Sequence, residues 1–249
     1  MSINVNSSGT WKEAQEVYVK DGDAWKPCTD VLINHSGTWK SALYAAGTQE
    51  YSSSGTFTVP NGVYSLTVTL LVGGGGGGGG FYGNGDTHAG GGGGSGGYYQ
   101  NQTIAVTPGE TLTIVVGGKG GSASYEFNGN FICVGTAHGT SGGGATYSDG
   151  SNGGDTIIKR GLTELLKATG GEGGKGAGPG DNMGESRSGV GGLPNGVTGA
   201  TPNPNRNSYS GTAGGDNGTG YGKGGKGNAS DGGPPCPQEG GLGYVSLSW

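Results

Sequence analysis

From Val63 to Val72, in VYSLTVTLLV, apolar and polar side chains alternate, and a period of two marks a strand that buries one face. Asn61-Gly62 just before it is a strong turn signal, and TFTV on the other side of that turn has the same alternation. A second unit, TIAVTPGETLTIVV at 103–116, repeats the plan with Pro108-Gly109 at the turn. Weaker strand signals follow at 131–134, 156–158, 162–168 and 244–249, although the segment from Leu162 to Leu166 is also compatible with the start of a short helix.

The first forty-five residues carry a different period. Trp-Lys recurs at 11–12, 25–26 and 39–40, a step of fourteen, and two apolar series keep the same step: Ile3, Val17, Val31 and Val5, Val19, Ile33. Each unit (INVNSSGTWK, VYVKDGDAWK, LINHSGTWK) reads as a strand, a Ser-Gly or Asp-Gly turn and a short return strand. Fourteen residues cannot bury a tryptophan alone, so the units should stack or wind around a common axis. Trp11, Trp25 and Trp39 then either form a small shared core or anchor the module on the end of a symmetric trimeric partner, one unit for each partner chain.

Between the later strands lies glycine. The tract at 73–80 is unbroken, and GGKGG (117–121), GGEGGKG (170–176) and GKGGKG (222–227) place a non-glycine residue at every third position. A polyproline-II helix has three residues per turn, so Glu172 and Lys175 would share a face, as would Lys223 and Lys226, leaving two faces of bare backbone. Bare faces allow neighbouring helices to exchange N–H to C=O hydrogen bonds, with Cα–H contacts adding a little. The 73–80 tract is therefore expected as a buried member of such a bundle, about 25 Å long at 3.1 Å per residue, rather than as a flexible linker, because linkers join domains and do not recur inside one.

Composition fits this picture. Of 249 residues 65 are glycine, 30% are hydrophobic and 12% charged, against about 7% glycine in ordinary proteins. Most of such a chain cannot build an ordinary core, and irregular spacers with only ten prolines exclude collagen. The expected fold is mostly irregular and β, without significant α-helix: a β-repeat module at 1–48, then a glycine-rich domain at 49–249 of packed polyglycine-II helices and short strands. A net charge of −5 speaks against nucleic acid or anionic membrane as partners. No apolar signal segment or spanning stretch is present, which points to synthesis in a cytoplasm without membrane insertion. Three widely spaced cysteines, Cys28, Cys133 and Cys236, argue against a disulfide framework or a structural zinc.

If the glycine tracts form a rigid bundle, the segments between them are exposed turns: 81–89, 95–102, 123–131, 145–149, 182–188, 201–210 and 228–239. They concentrate Tyr, Asn, Asp and Ser, the composition of an adaptable binding surface. Candidate binding residues are Phe81, Tyr82, Asn84, Asp86, His88, Tyr98, Tyr99, Tyr125, Phe127, Tyr147, Arg187, Asn205, Arg206 and Tyr209.

GTFTVPNGVYSLTVTLLVGGGGGGGG, TPGETLTIVVGGKGG, TGGEGGKG and the terminal GYVSLSW together resemble the glycine-rich tail-fibre tip adhesins of T-even-like bacteriophages. The resemblance covers about 50–249 by glycine architecture and 1–45 by plan alone. It implies a virion protein of the tail-fibre tip, made in the host cytoplasm. Its N-terminal module, through Trp11, Trp25 and Trp39, would attach to the distal end of a trimeric tail fibre, and its loops would bind a bacterial outer-membrane protein such as a porin, or lipopolysaccharide. Alternatives are a lectin-like binder of surface glycans and a structural or ice-binding glycine protein. An ice face should be flat and rich in Ala and Thr, whereas these period-three positions carry Lys and Glu.

Catalytic patterns are weak. Residues 139–143 and 93–97 both fit G-x-S-x-G, but neither precedes a helix pattern, as a nucleophile elbow requires. Lys119, Lys175, Lys223 and Lys226 follow glycine as in a phosphate loop, yet each is followed by Gly where Ser or Thr should hold magnesium. GSNGGDTII at 150–158 is one residue from a calcium β-roll nonapeptide, in a single copy that cannot build that site. His35, His88 and His138 have no metal spacing. The expectation is a non-enzymatic protein with no cofactor and no metal.

Overall fold

A computed structural model of the chain describes residues 4–7, 9–13, 17–28, 31–35, 37–41, 46–79, 90–127, 130–133, 149–176, 188–199, 214–227 and 236–249, with the backbone alone at some strand residues, among them Trp11, Tyr125, Phe127 and Cys133.

Each fourteen-residue unit is a β-hairpin. β1 (Asn4–Ser7) pairs with β2 (Thr10–Glu13), β3 (Tyr18–Asp21) with β4 (Ala24–Pro27), and β5 (Leu32–His35) with β6 (Thr38–Ser41). The register repeats as well, with Trp11, Trp25 and Trp39 opposite Asn6, Lys20 and Asn34. Gly9 and Gly37 supply the positive φ at the second loop position and Gly22 at the first, a backbone region closed to most side chains. The three hairpins are separate two-stranded sheets. Trp25 and Trp39 are 67% and 64% exposed, so neither is buried in a shared tryptophan core.

The rest of the chain builds a β-sandwich and prolongs it with glycine. One sheet has the order β10 (Tyr98–Ala105), β9 (Ser65–Val72), β16 (Tyr244–Ser248), β7 (Thr48–Tyr51); the other has β15 (Thr163–Ala168), β14 (Thr156–Arg160), β11 (Thr111–Val115), β8 (Gly55–Thr58). All pairings are antiparallel. The alternating apolar positions meet between the sheets: Leu66, Val68, Leu71, Val245 and Leu247 from one, Phe57, Leu112, Ile114 and Ile158 from the other. Trp249 closes one end, with its ring 5.1 Å from that of Phe57.

Both turn signals hold, with Gly62 and Gly109 at φ of 80°, but the strands around them do not pair with each other. β8 and β9 lie in opposite sheets, and so do β10 and β11. The two turns instead join across the sandwich end, where Val59 N–H donates to Glu110 O and Gly109 N–H to Val59 O, each at 2.9 Å. The segment at 162–168 is strand β15, entered through a turn in which Gly161 has positive φ and Leu162 is fully exposed; no α-helix occurs among the described residues.

Glycine segments continue the sandwich strands in alternating directions. The runs 73–79, 117–123 and 169–176 leave β9, β11 and β15, while 90–97, 149–155 and 236–243 return to β10, β14 and β16. Two further pairs, 188–193 with 196–199 and 214–217 with 222–227, turn back beside the sandwich at 193–195 and 218–221.

The 73–79 run shows how they pack. Its successive N–H groups donate to Gly97, Gly154, Gly241, Gly94, Ser151, Gln238 and Gly91, cycling with period three through its three antiparallel neighbours. Its carbonyls from Gly74 onward accept from Gly171, Gly120, Gly225, Gly174 and Ala123, cycling through three parallel ones. A threefold helix turns each successive peptide by about 120°. Three donor directions and three acceptor directions therefore give one helix six neighbours. The 90–97 run is surrounded in the same way. All of 73–79 is buried, and the unbroken glycine tract is the axis of the bundle.

Candidate functional site

The far rim of this bundle is where the interhelical segments leave and return. At that end Gly79 N–H donates to Gly91 O, Gly91 N–H to Lys175 O, Gly78 N–H to Gln238 O and Gly199 N–H to Gly189 O, all at 2.9–3.0 Å. Five connections depart from this level: 80–89, 124–148, 177–187, 200–213 and 228–235. On the sandwich side, by contrast, the connections are the sheet strands and two short turns.

Most of the candidate binding residues belong to these five connections. Phe81, Tyr82, Asn84, Asp86, His88, Tyr147, Arg187, Asn205, Arg206 and Tyr209 lie outside the described residues. Tyr125 and Phe127 are on β12 (Tyr125–Phe127), which forms a hairpin with β13 (Asn130–Cys133) in the 124–148 connection.

Tyr98 and Tyr99 are placed differently from the expected exposed turn. They open β10, at the sandwich end of the bundle, opposite Val72 and Leu71, and both are half-buried. Tyr98 N–H donates to Pro194 O at 2.7 Å, and Tyr99 packs against the core. The reason is the preceding helix: Gly97 N–H is bonded to Thr169 O, so the chain is already returning into the sheet when it reaches these tyrosines.

The rim stands on a lattice edge that polar side chains close. In 149–155 every third residue is polar, and Asp149, Asn152 and Asp155 accept the N–H groups of Gly176, Gly173 and Gly170 at 2.8–2.9 Å, again a period of three. Ser151 Oγ accepts Gly121 N–H, Thr156 Oγ1 accepts Gly117 N–H, and Ser95 Oγ accepts Val197 N–H. The oxygens of Asp149, Asn152 and Asp155 stand where a neighbouring helix would otherwise supply acceptors, and a buried N–H without an acceptor costs about 1–3 kcal/mol. The acceptor ladder escaped the sequence reading, although DGSNGGD carries its D-x-x-N-x-x-D spacing openly. Ser95, of the second G-x-S-x-G match, lies wholly inside the bundle.

Ion pairs tie the outer helices together: Lys175 with Asp149 at 3.1 Å, Lys223 with Asp216 at 3.0 Å, Lys167 with Asp155 at 2.7 Å, and Lys119 with Glu239. The expected shared faces are present, with Glu172, Lys175, Lys223 and Lys226 all exposed. Burial pushes the Asp155 carboxyl up, but Lys167 and the Gly170 N–H outweigh it and hold the group below the usual range. The Gly218 N–H, with Lys223, does the same for Asp216.

One sequence expectation fails outright. Cys236, at the rim, is disulfide-bonded, whereas Cys28 is not. Spacing gave no hint of this, because no second cysteine lies near Cys236 in the sequence.

The architecture defines a class of protein: a two-sheet sandwich whose strands are prolonged into a hexagonally packed glycine bundle. The chain belongs to the glycine-rich domain family, whose model matches residues 48–248. Those limits are the first residue of β7 and the last of β16, so the matched region is the sandwich with its bundle and the three hairpins lie outside it. No curated protein matches the sequence.

Proposed function

We propose that the chain is a non-enzymatic adhesin of a bacteriophage tail-fibre tip, which binds a host outer-membrane receptor through the segments carried on the far rim of the glycine bundle. The observation that supports this reading most is topological: all five long connections leave one end of the bundle, away from the sandwich. A lattice in which central helices have six hydrogen-bonded neighbours fixes the roots of those segments before binding, which limits the ordering cost of recognition. In the proposed assembly the three hairpins dock the chain on a trimeric fibre, with the exposed Trp25 and Trp39 and their counterpart Trp11 as anchors.

The test is binding of the purified chain to intact Gram-negative cells, compared with cells lacking single major outer-membrane proteins. Loss of binding with one deletion is the expected result. Loss only on truncation of lipopolysaccharide would transfer the reading to a lectin-like binder, and a folded chain that binds no strain would overturn it.

A further inference from the structure

The backbone brings two cysteines to one corner of the rim. Gly78 carbonyl accepts the N–H of Ala123 at 3.1 Å, and Gly78 N–H donates to Gln238 O at 2.9 Å. Ala123 stands two residues before Tyr125, which is paired with Cys133 across the β12–β13 hairpin. Gln238 stands two residues after Cys236. Cys236 is thus two residues from one hydrogen-bond partner of Gly78, and Cys133 stands opposite a residue two along from another, so the backbone leads both cysteines from the same glycine.

Cys236 is disulfide-bonded, Cys28 is not, and Cys133 is the third of three cysteines. We propose that Cys133 and Cys236 form a redox-sensitive staple that pins the β12–β13 hairpin to the start of the 236–243 helix. Among the described strands β12 and β13 pair only with each other, so no sheet ladder ties the hairpin to the bundle. The ring that the bond closes, from 133 to 236, contains the 177–187, 200–213 and 228–235 connections, so one covalent link encloses three other rim segments.

The bond forms by exchange with a low-molecular-weight disulfide such as oxidised glutathione. One cysteine thiolate attacks it, giving a mixed disulfide and releasing one glutathione thiol; the second thiolate attacks the protein sulfur and releases the other. Two cysteine thiols lose two protons and two electrons, and the glutathione disulfide takes them up. Excess thiol reverses the reaction, so the hairpin is released under reducing conditions and fixed under oxidising ones.

The experiment uses the full chain, equilibrated with oxidised glutathione or with a phosphine reductant, then denatured and alkylated. One alkylated cysteine, Cys28, is expected in the oxidised sample and three in the reduced one. Trypsin should leave peptide 120–159 joined to 227–249 in the oxidised sample. Chymotrypsin should cut the native chain at Tyr125, Phe127 or Phe131 roughly tenfold faster after reduction, as expected of a segment freed to open locally. Closing a ring of about 100 residues should also raise Tm by roughly 5–15 °C. Cys236→Ser should match the reduced chain in either buffer, and Cys28→Ser should match wild type. Three alkylated cysteines in the oxidised sample, a bond to Cys28, or equal cleavage in both redox states would each overturn the staple. None of these outcomes depends on what the rim binds.

Discussion

Gly76 and Gly118 sit in glycine tracts that look alike in sequence, and alanine should have opposite effects at the two. A Cβ at Gly76 would stand 2.0 Å from the Glu172 carbonyl oxygen and 2.3 Å from its carbon, both backbone atoms of the neighbouring helix. Restoring an ordinary contact near 3.4 Å needs a separation of about 1.4 Å (3.4 less 2.0). That displacement breaks or stretches Gly76 N–H to Gly94 O at 2.9 Å and Gly225 N–H to Gly76 O at 2.7 Å. Overpacking costs roughly 1–3 kcal/mol and each buried group left without a partner roughly 1–3 more, which puts Gly76→Ala near 4 kcal/mol. At about 2–4 °C per kcal/mol for a domain of this size, Tm should fall by roughly 10 °C. At Gly118 nothing lies within 4 Å of the added carbon and φ is not positive, so Gly118→Ala should be neutral or stabilise by about 0.4–1 kcal/mol through the unfolded chain. Thermal melts of both variants, followed by calorimetry, decide the matter. Equal Tm values would refute the hexagonal lattice as the source of the bundle's stability.

Thr156 is fully buried and accepts Gly117 N–H at 2.9 Å, so Thr156→Val should cost about 1–3 kcal/mol in denaturant melts while Thr156→Ser recovers part of it. Three carboxyls have folded pKa values below their unfolded ones. Glu110 is lowered chiefly by the Arg160 hydrogen bonds, Asp216 chiefly by the Gly218 N–H, and Asp155 by Lys167 and Gly170 against an opposing burial effect. Their contribution is therefore complete above the ordinary carboxylate range and is lost as pH falls through the folded values; Tm should hold to about pH 5 and drop below about pH 4, with a shallower drop in the Glu110→Gln, Asp155→Asn, Asp216→Asn triple variant. Trp25→Ala with Trp39→Ala should leave Tm within about 2 °C, because both rings are largely in solvent; pull-down with the distal part of a trimeric fibre should fail for the same variant if the docking proposal holds.

Much of the architecture was legible because it is periodic. The fourteen-residue step gave three hairpins, period two gave the strands from Ser65 to Val72 and from Thr111 to Val115, and period three gave glycine helices with Lys175 and Lys226 outside. Gly62 and Gly109 marked real turns, since a positive φ is a property of one residue. Partners were not legible. Alternation in β8 and β9 says that each strand buries one face, and a hairpin or two facing sheets satisfy it equally well; the choice fell to the sandwich, whose two sheets share one core. Tyr98 and Tyr99 read as loop because the tract before them is polar-neutral glycine, while the hydrogen bond of Gly97 to Thr169 had already turned the chain into a strand. The ladder of Asp149, Asn152 and Asp155 needed a helix edge to close, and Cys236 needed a partner from a distant part of the chain. The sequence by itself determined the local repeat of each segment, which depends on backbone sterics and the spacing of side chains. Only the tertiary structure decided which segments adjoin, because glycine offers identical N–H and C=O groups at every residue and the strands that root each helix select among them.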